Sequence, residues 1–173
     1  RYERERLNYI ISKIDLKGKR ILDIGGNTGF FTFESSLRGA ESIDFYEGND
    51  IHAQFVELGV KYLGLEDIIH VYNQYYSFDI REKSYDVVFL MNVLHHIGDD
   101  YGDSAITLKE AKENIIFQLN GMAEKTKYMV FQMGFNWKGN RDKGLFENGT
   151  KEEMVEFIKE GTKECWEIVD VGV

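Results

Sequence analysis

Arg20-Ile21-Leu22-Asp23-Ile24-Gly25-Gly26-Asn27-Thr28-Gly29 decides the fold. A short apolar run enters a cluster of glycines, and a helical pattern follows from Thr28 to Arg38, stopped at Gly39. Glycines at 25, 26 and 29 let the backbone turn sharply and approach a ligand closely. Asn27 tolerates left-handed backbone angles better than most residues. The helix that follows presents free N–H groups to an anionic ligand end. A strand, a glycine turn and a helix in this order make the first unit of a doubly wound sheet. In such sheets ligands bind beyond the carboxyl ends of the strands.

Outward from this loop, strands and helices alternate. An amphipathic helix is expected over residues 2–14, with Leu7, Ile10, Ile11 and Ile14 on one face. Residues 42–47 read as a second strand, and Asp50 as the N-cap of a helix reaching about Leu63, closed by Gly64. A third strand is expected at 68–72. Residues 85–91 (YDVVFLM) form a near-continuous apolar run, as in a central parallel strand covered on both faces. A helix over 104–125, a strand over 127–133 and a helix over 150–160 follow. The last is capped by Thr150, with Glu153 as capping-box partner. Residues 166–171 read as a sixth strand. The alternation implies right-handed crossovers and an α/β, doubly wound, mostly parallel sheet with helices on both faces. The irregular stretch 134–149 is long enough to suggest a functional loop.

Bulk composition bounds the rest. The 173 residues suit one domain, expected to span 1–173, and two would be cramped. The chain opens on Arg1 rather than Met, so truncation at one or both ends is expected. Net charge is −9, which leans against a nucleic-acid partner. No apolar run approaches the ~20 residues of a membrane helix, and no secretory signal is visible. Cys165 is the only cysteine, which excludes an intrachain disulfide and a four-cysteine zinc site and fits a cytoplasmic setting.

Asp23-x-Gly25-x-Asn27-x-Gly29 resembles the first motif of class I (Rossmann-like) S-adenosylmethionine-dependent methyltransferases, with Asn27 in place of the middle glycine. The resemblance runs over roughly residues 20–133 and is strongest at Ser84-Tyr85-Asp86-Val87-Val88-Phe89-Leu90-Met91-Asn92-Val93-Leu94-His95-His96-Ile97. That stretch is similar to the fourth motif of the family, in the form seen in small-molecule methyltransferases. It implies S-adenosylmethionine as cofactor, held by Asp23, Gly25, Gly26, Asn27 and Gly29, with the methionine carboxylate at the helix N-terminus. Glu47 ends the second strand, where a carboxylate accepts the ribose hydroxyls. NAD-binding proteins share that spacing. Asn73 stands where the family often has an acid facing the adenine amino group, and its side-chain carbonyl accepts there. Gln74 adds a backbone contact, and Asn92 closes the set. The family sheet has strand order 3-2-1-4-5-6 with a seventh, antiparallel strand, for which this sequence has no counterpart. A missing strand exposes a sheet edge, so a homodimer is a further expectation.

Methyl transfer from a sulfonium is an in-line displacement, so the protein must align the acceptor and remove its proton. Histidine is the usual base near neutral pH. His96 aligns with the histidine of the family motif, and His95 is the second candidate; hydrogen-bonded loop orientation is the competing role for both. Trp137 offers a flat surface to a sugar or aromatic ring, and Arg141 a partner for phosphate or carboxylate. Asp99, Asp100 and Asp103 suit a solvated loop that caps the next helix, although carboxylates also hold divalent cations; no metal is assigned. The chain has no proline, which removes the amino-methylating and cytosine C5 DNA enzymes. The expected function is methylation of a small-molecule or saccharide acceptor at oxygen. Its alternatives are an RNA-modifying enzyme of the tRNA wobble-uridine type, a non-catalytic S-adenosylmethionine-binding domain, and an NAD-dependent oxidoreductase.

Overall fold

The computed structural model describes residues 2–79 and 84–172. They form two compact units, one of residues 1–91 with 126–131, the other of 92–125 with 132–173. The first unit carries the sheet. Its strands are β1 (Arg20–Ile24), β2 (Ser42–Glu47), β3 (Ile69–Asn73), β4 (Tyr85–Met91) and β5 (Thr126–Gln132), in spatial order β3-β2-β1-β4-β5. The described pairings β1–β2, β1–β4 and β2–β3 are all parallel. β1 is buried from Ile21 to Ile24 and β4 from Val87 to Leu90, so both faces of the central strands are covered. The expected α/β sheet is therefore present, with order 3-2-1-4-5.

Helices α1 (Tyr2–Ile11), α2 (Phe30–Leu37) and α3 (Asp50–Leu63) supply Leu7, Ile10, Phe31, Val56 and Val60 to a core with Ile21, Ile43, Phe45, Val87 and Phe89 of the strands. The same-face residues of β1, β2 and β4 alternate in sequence, as the period of a strand requires. Asp44 points the other way from Phe45. This buried carboxylate accepts the Tyr85 hydroxyl at 2.7 Å and lies 3.1 Å from His70 Nδ1. α3 is capped by Asn49 rather than Asp50: Asn49 Oδ1 accepts the N–H groups of Ile51 and His52. Asp50 instead sits in the first helical turn, where its charge favours the helix dipole.

The second unit holds α4 (Leu108–Gly121) and α5 (Lys151–Thr162). α4 is shorter than the expected 104–125. Thr107 and Glu110 form a reciprocal capping box that sets its start, and a single 3-10 turn at Met122–Glu124 ends it. Thr150 caps α5, but the Glu153 carboxylate turns to the backbone N–H groups of Glu147 and Asn148. The expected sixth strand is absent: residues 166–171 join no ladder. Trp166 is instead tied to the end of α5 and to α4, its backbone N–H donating to Thr162 O and its indole to Leu119 O at 2.8 Å. Ile168, Val169 and Val171 stay exposed. The loop 134–149 folds on itself through an Asn136–Gly144 bridge and the Leu145 N–H to Phe135 O bond.

Candidate functional site

In the first unit the glycine loop follows β1 directly. Gly25, Asn27 and Gly29 have φ of 66°, 53° and 77°, so the chain turns through three left-handed residues before α2. Asn27 stands in the middle because its short side chain can satisfy such a turn: its Oδ1 accepts the Thr28 N–H at 2.8 Å. Gly26 is packed rather than open, since a Cβ there would strike the Phe45 ring and lie 2.8 Å from Asp23 Oδ2. Asp23 is buried under the loop and accepts the Thr32 hydroxyl of α2 at 2.7 Å. Burial pushes its carboxyl up to about 6 against the pull of that hydrogen bond, and Glu47 adds to the rise. Asp23 thus braces β1 to α2 from beneath.

Glu47 closes the loop from the side. Its Oε2 accepts the Asn27 N–H and its Oε1 the Asn49 N–H, both at 2.8 Å. Asn73 is the register partner of Glu47, at the exposed end of β3, and Gln74 follows, also exposed. The parallel register therefore gathers Glu47, Asn73 and the loop at one end of the sheet. Tyr75 joins them: its ring lies so close over Gly48 that a Cβ there would come within 2.3 Å of it unless the ring moved aside.

In the second unit, Asn92 follows β4 with φ 60°, a left-handed residue at the point where the chain leaves the strand. A single 3-10 turn, Leu94–His96, places the two histidine rings 4.3 Å apart. Their environments differ. His95 is buried and its Nδ1 accepts the Gly134 N–H at 3.2 Å, which puts its proton on Nε2. Burial lowers its pKa to about 4, with the neighbouring His96 adding to the effect. His96 is partly exposed. Its Nδ1 comes within 3.2 Å of Asp100 Oδ2, a charge approach without hydrogen-bond alignment. Donor atoms of His96, Asp99 and Asp100 lie within 4.8 Å of one another. Trp137 is pinned over this turn by its indole N–H, which donates to Ile97 O at 3.1 Å. Lys138 holds the same loop down by donating to Ser104 O at 2.8 Å. Arg141 lies exposed farther along the loop.

No protein-family model matches the chain. A ubiquinone biosynthesis O-methyltransferase of Neisseria meningitidis serogroup C (strain 053442) is 33% identical over 98 residues, covering 54% of this chain and 40% of that protein. A tRNA U34 carboxymethyltransferase of Campylobacter hominis is 32% identical over 119 residues, covering 64% of this chain and 37% of that protein. The chain thus spans about two fifths of the length of the curated relatives it matches. Among solved structures, the StiE O-MT (residues 942–1257) superposes with a TM-score of 0.61 at 15% identity, covering 92% of this chain and 50% of that one. The fold is thus that of the class I, Rossmann-like methyltransferase superfamily, and the curated sequences to which the chain is similar are methyltransferases. S-adenosylmethionine is the methyl donor of that superfamily.

The first unit of this methyltransferase-fold chain fits such a donor. α2 begins at Gly29 with no side-chain cap, so its first N–H groups can meet a carboxylate. Glu47 has filled two of about four acceptor positions, leaving the others for hydroxyl donors. Sequence reasoning missed Thr32 and Tyr75. Thr32 lies in the first turn of α2 with nothing in its context to mark it, and Tyr75 is defined by contact with a backbone carbon. Only the bareness of Gly48 next to Glu47 hinted at the second.

Proposed function

We propose that this chain binds S-adenosylmethionine on the 23–29 loop and Glu47, and methylates a hydroxyl of a small-molecule or saccharide acceptor. The observation that carries this reading is the left-handed Gly25–Asn27–Gly29 loop clasped by Glu47, next to an uncapped helix N-terminus. When bound, the donor supplies an electrophilic methyl on a positively charged sulfur. Glu47 orients the ribose, and the N–H groups of α2 hold the carboxylate. His96 is the base: with its Nδ1 turned to Asp100, its Nε2 is left to take the acceptor's hydroxyl proton. His95 is committed to Gly134 and acts on the turn's geometry. Trp137 and Arg141 are the acceptor contacts we infer. The single, exposed Cys165 goes with a reducing, cytoplasmic setting, and no helix among the described residues is long and apolar enough to cross a membrane.

A second reading, action on RNA, draws on the carboxymethyltransferase relative, whose match covers the larger share of this chain. Net charge of −9 weighs against it. Salt-dependent tRNA binding by the isolated chain would favour it.

Calorimetric titration with S-adenosylmethionine, S-adenosylhomocysteine and NAD tests the main reading. The first two are expected to bind and NAD to give no heat; tight NAD binding alone overturns it. Glu47→Ala should weaken S-adenosylmethionine by about tenfold or more, roughly 1.4 kcal/mol.

A further inference from the structure

α3 presents an apolar stripe on the side away from its own core. Ile51, Phe55, Leu58 and Tyr62 are 78%, 58%, 67% and 90% exposed. At about 100° per residue they fall on one narrow face, while the buried residues Ala53, Val56 and Val60 fall opposite. The spacing of four, three and four residues is the seam of a coiled coil rather than the broader face of a helix laid on a sheet. A helix surface of this kind matches another helix with the same period.

We propose that this face binds α3 of a second copy of the chain, antiparallel, across a two-fold axis level with Phe55 and Leu58. Three observations select this occupant. The seam is self-complementary when reversed: Ile51 comes level with Tyr62 of the second copy and Phe55 with its Leu58, as an isologous contact requires. The flanking charges also suit reversal. Asp50, Gln54 and Lys61 are exposed along one side of the stripe. Antiparallel pairing sets Lys61, which also pairs with Glu57 of its own helix at 2.9 Å, against Asp50 and Gln54 of the second copy, whereas parallel pairing turns it to the opposite flank of the partner helix, at Gly59 and Leu63, where it meets no carboxylate. Finally, the four side chains offer about 500 Å² per copy, or about 1,000 Å² in total, at the lower edge of specific interfaces. A reversible dimer in the micromolar range is the consequence. Asp50 and Glu57 beside the stripe, in a chain of net charge −9, disfavour an anionic membrane as its partner.

Sedimentation velocity over about 1–100 µM reads the association directly. A monomer–dimer equilibrium is expected, and Leu58→Glu, at an exposed position that leaves the fold intact, should weaken it at least tenfold. Lys61→Asp should weaken it too, and Asp50→Lys combined with Lys61→Asp should restore it. A monomer at every concentration overturns the proposal, as does a dimer indifferent to Leu58→Glu. Loss of flotation with phosphatidylcholine vesicles in Leu58→Glu, with a monomeric parent, would assign the face to lipid and also overturn it. A dimer that the charge exchange leaves weakened would reject the antiparallel register. None of these outcomes depends on whether the chain binds S-adenosylmethionine.

Discussion

Asn27 holds a backbone angle that most side chains resist. Its φ of 53° places Cβ close to a carbonyl oxygen, a cost of about 1–2 kcal/mol for an ordinary residue. Asparagine softens that cost by bonding locally, here to the Thr28 N–H. The same logic explains why a glycine stands at this position in the motif that the loop resembles. Asn27→Gly is therefore expected to change stability little, because relief of strain offsets the lost side-chain bond. Asn27→Ala keeps the strain and loses the bond, and should unfold about 1–2 kcal/mol more easily than Asn27→Gly. Urea midpoints of the two variants decide this; equal midpoints would mean the loop relaxes to another angle. Asn92, at φ 60° after β4, poses the same problem where the chain passes towards the histidines.

At the scale of elements, helix starts carry much of the local definition. Thr107 accepts the Glu110 N–H, and the Glu110 carboxylate accepts the Thr107 N–H and hydroxyl in return. Those bonds hold the Glu110 carboxyl below its usual range. Thr107→Ala should cost about 1 kcal/mol and raise hydrogen exchange in the first turn of α4, leaving α3 unchanged. Equal exchange in parent and variant would show that tertiary packing alone starts the helix. The strands around the glycine loop were legible because hydrophobic runs, glycines and caps coincide there. β2 and β4 fall on the expected residues, and β1, Arg20–Ile24, is the apolar run that enters the glycines. Residues 166–171 were misread for a physical reason. Trp166, Ile168, Val169 and Val171 favour a strand locally, but a strand exists only where a neighbouring edge accepts it, and propensity carries no information about edges. Among the candidate residues, the loop and Glu47 of the first unit and the histidine pair of the second stood out in sequence. The bonds that give them different tasks did not. Thr32 to Asp23 and Gly134 to His95 join residues through the fold, one of them through a backbone amide that no side-chain pattern records.

Across the whole molecule, two buried groups pull stability in opposite directions with pH. Asp23, raised to about 6, keeps its proton in the folded state while an unfolded aspartate releases it near 3.8. Its contribution is full in acid and falls as pH rises from about 4 to 6. His95, lowered to about 4, stays neutral when folded while an unfolded histidine takes a proton near 6.5. Its contribution is full above that value and falls as pH drops towards 4. Between about 4 and 6 the two slopes nearly cancel, because the folded state holds one proton more at Asp23 and one fewer at His95. Asp23→Asn removes one side of this balance. Asparagine still accepts the Thr32 hydroxyl without burying a charge. The variant should therefore be more stable than the parent above pH 6, by at most about 3 kcal/mol. Its advantage should shrink towards pH 4, leaving a steeper loss on acidification that belongs to His95. Urea unfolding from pH 4 to 8 measures the difference. An advantage that stays constant across the range would mean Asp23 is ionised throughout, and would place its bond to Thr32 ahead of burial as the force that sets its charge.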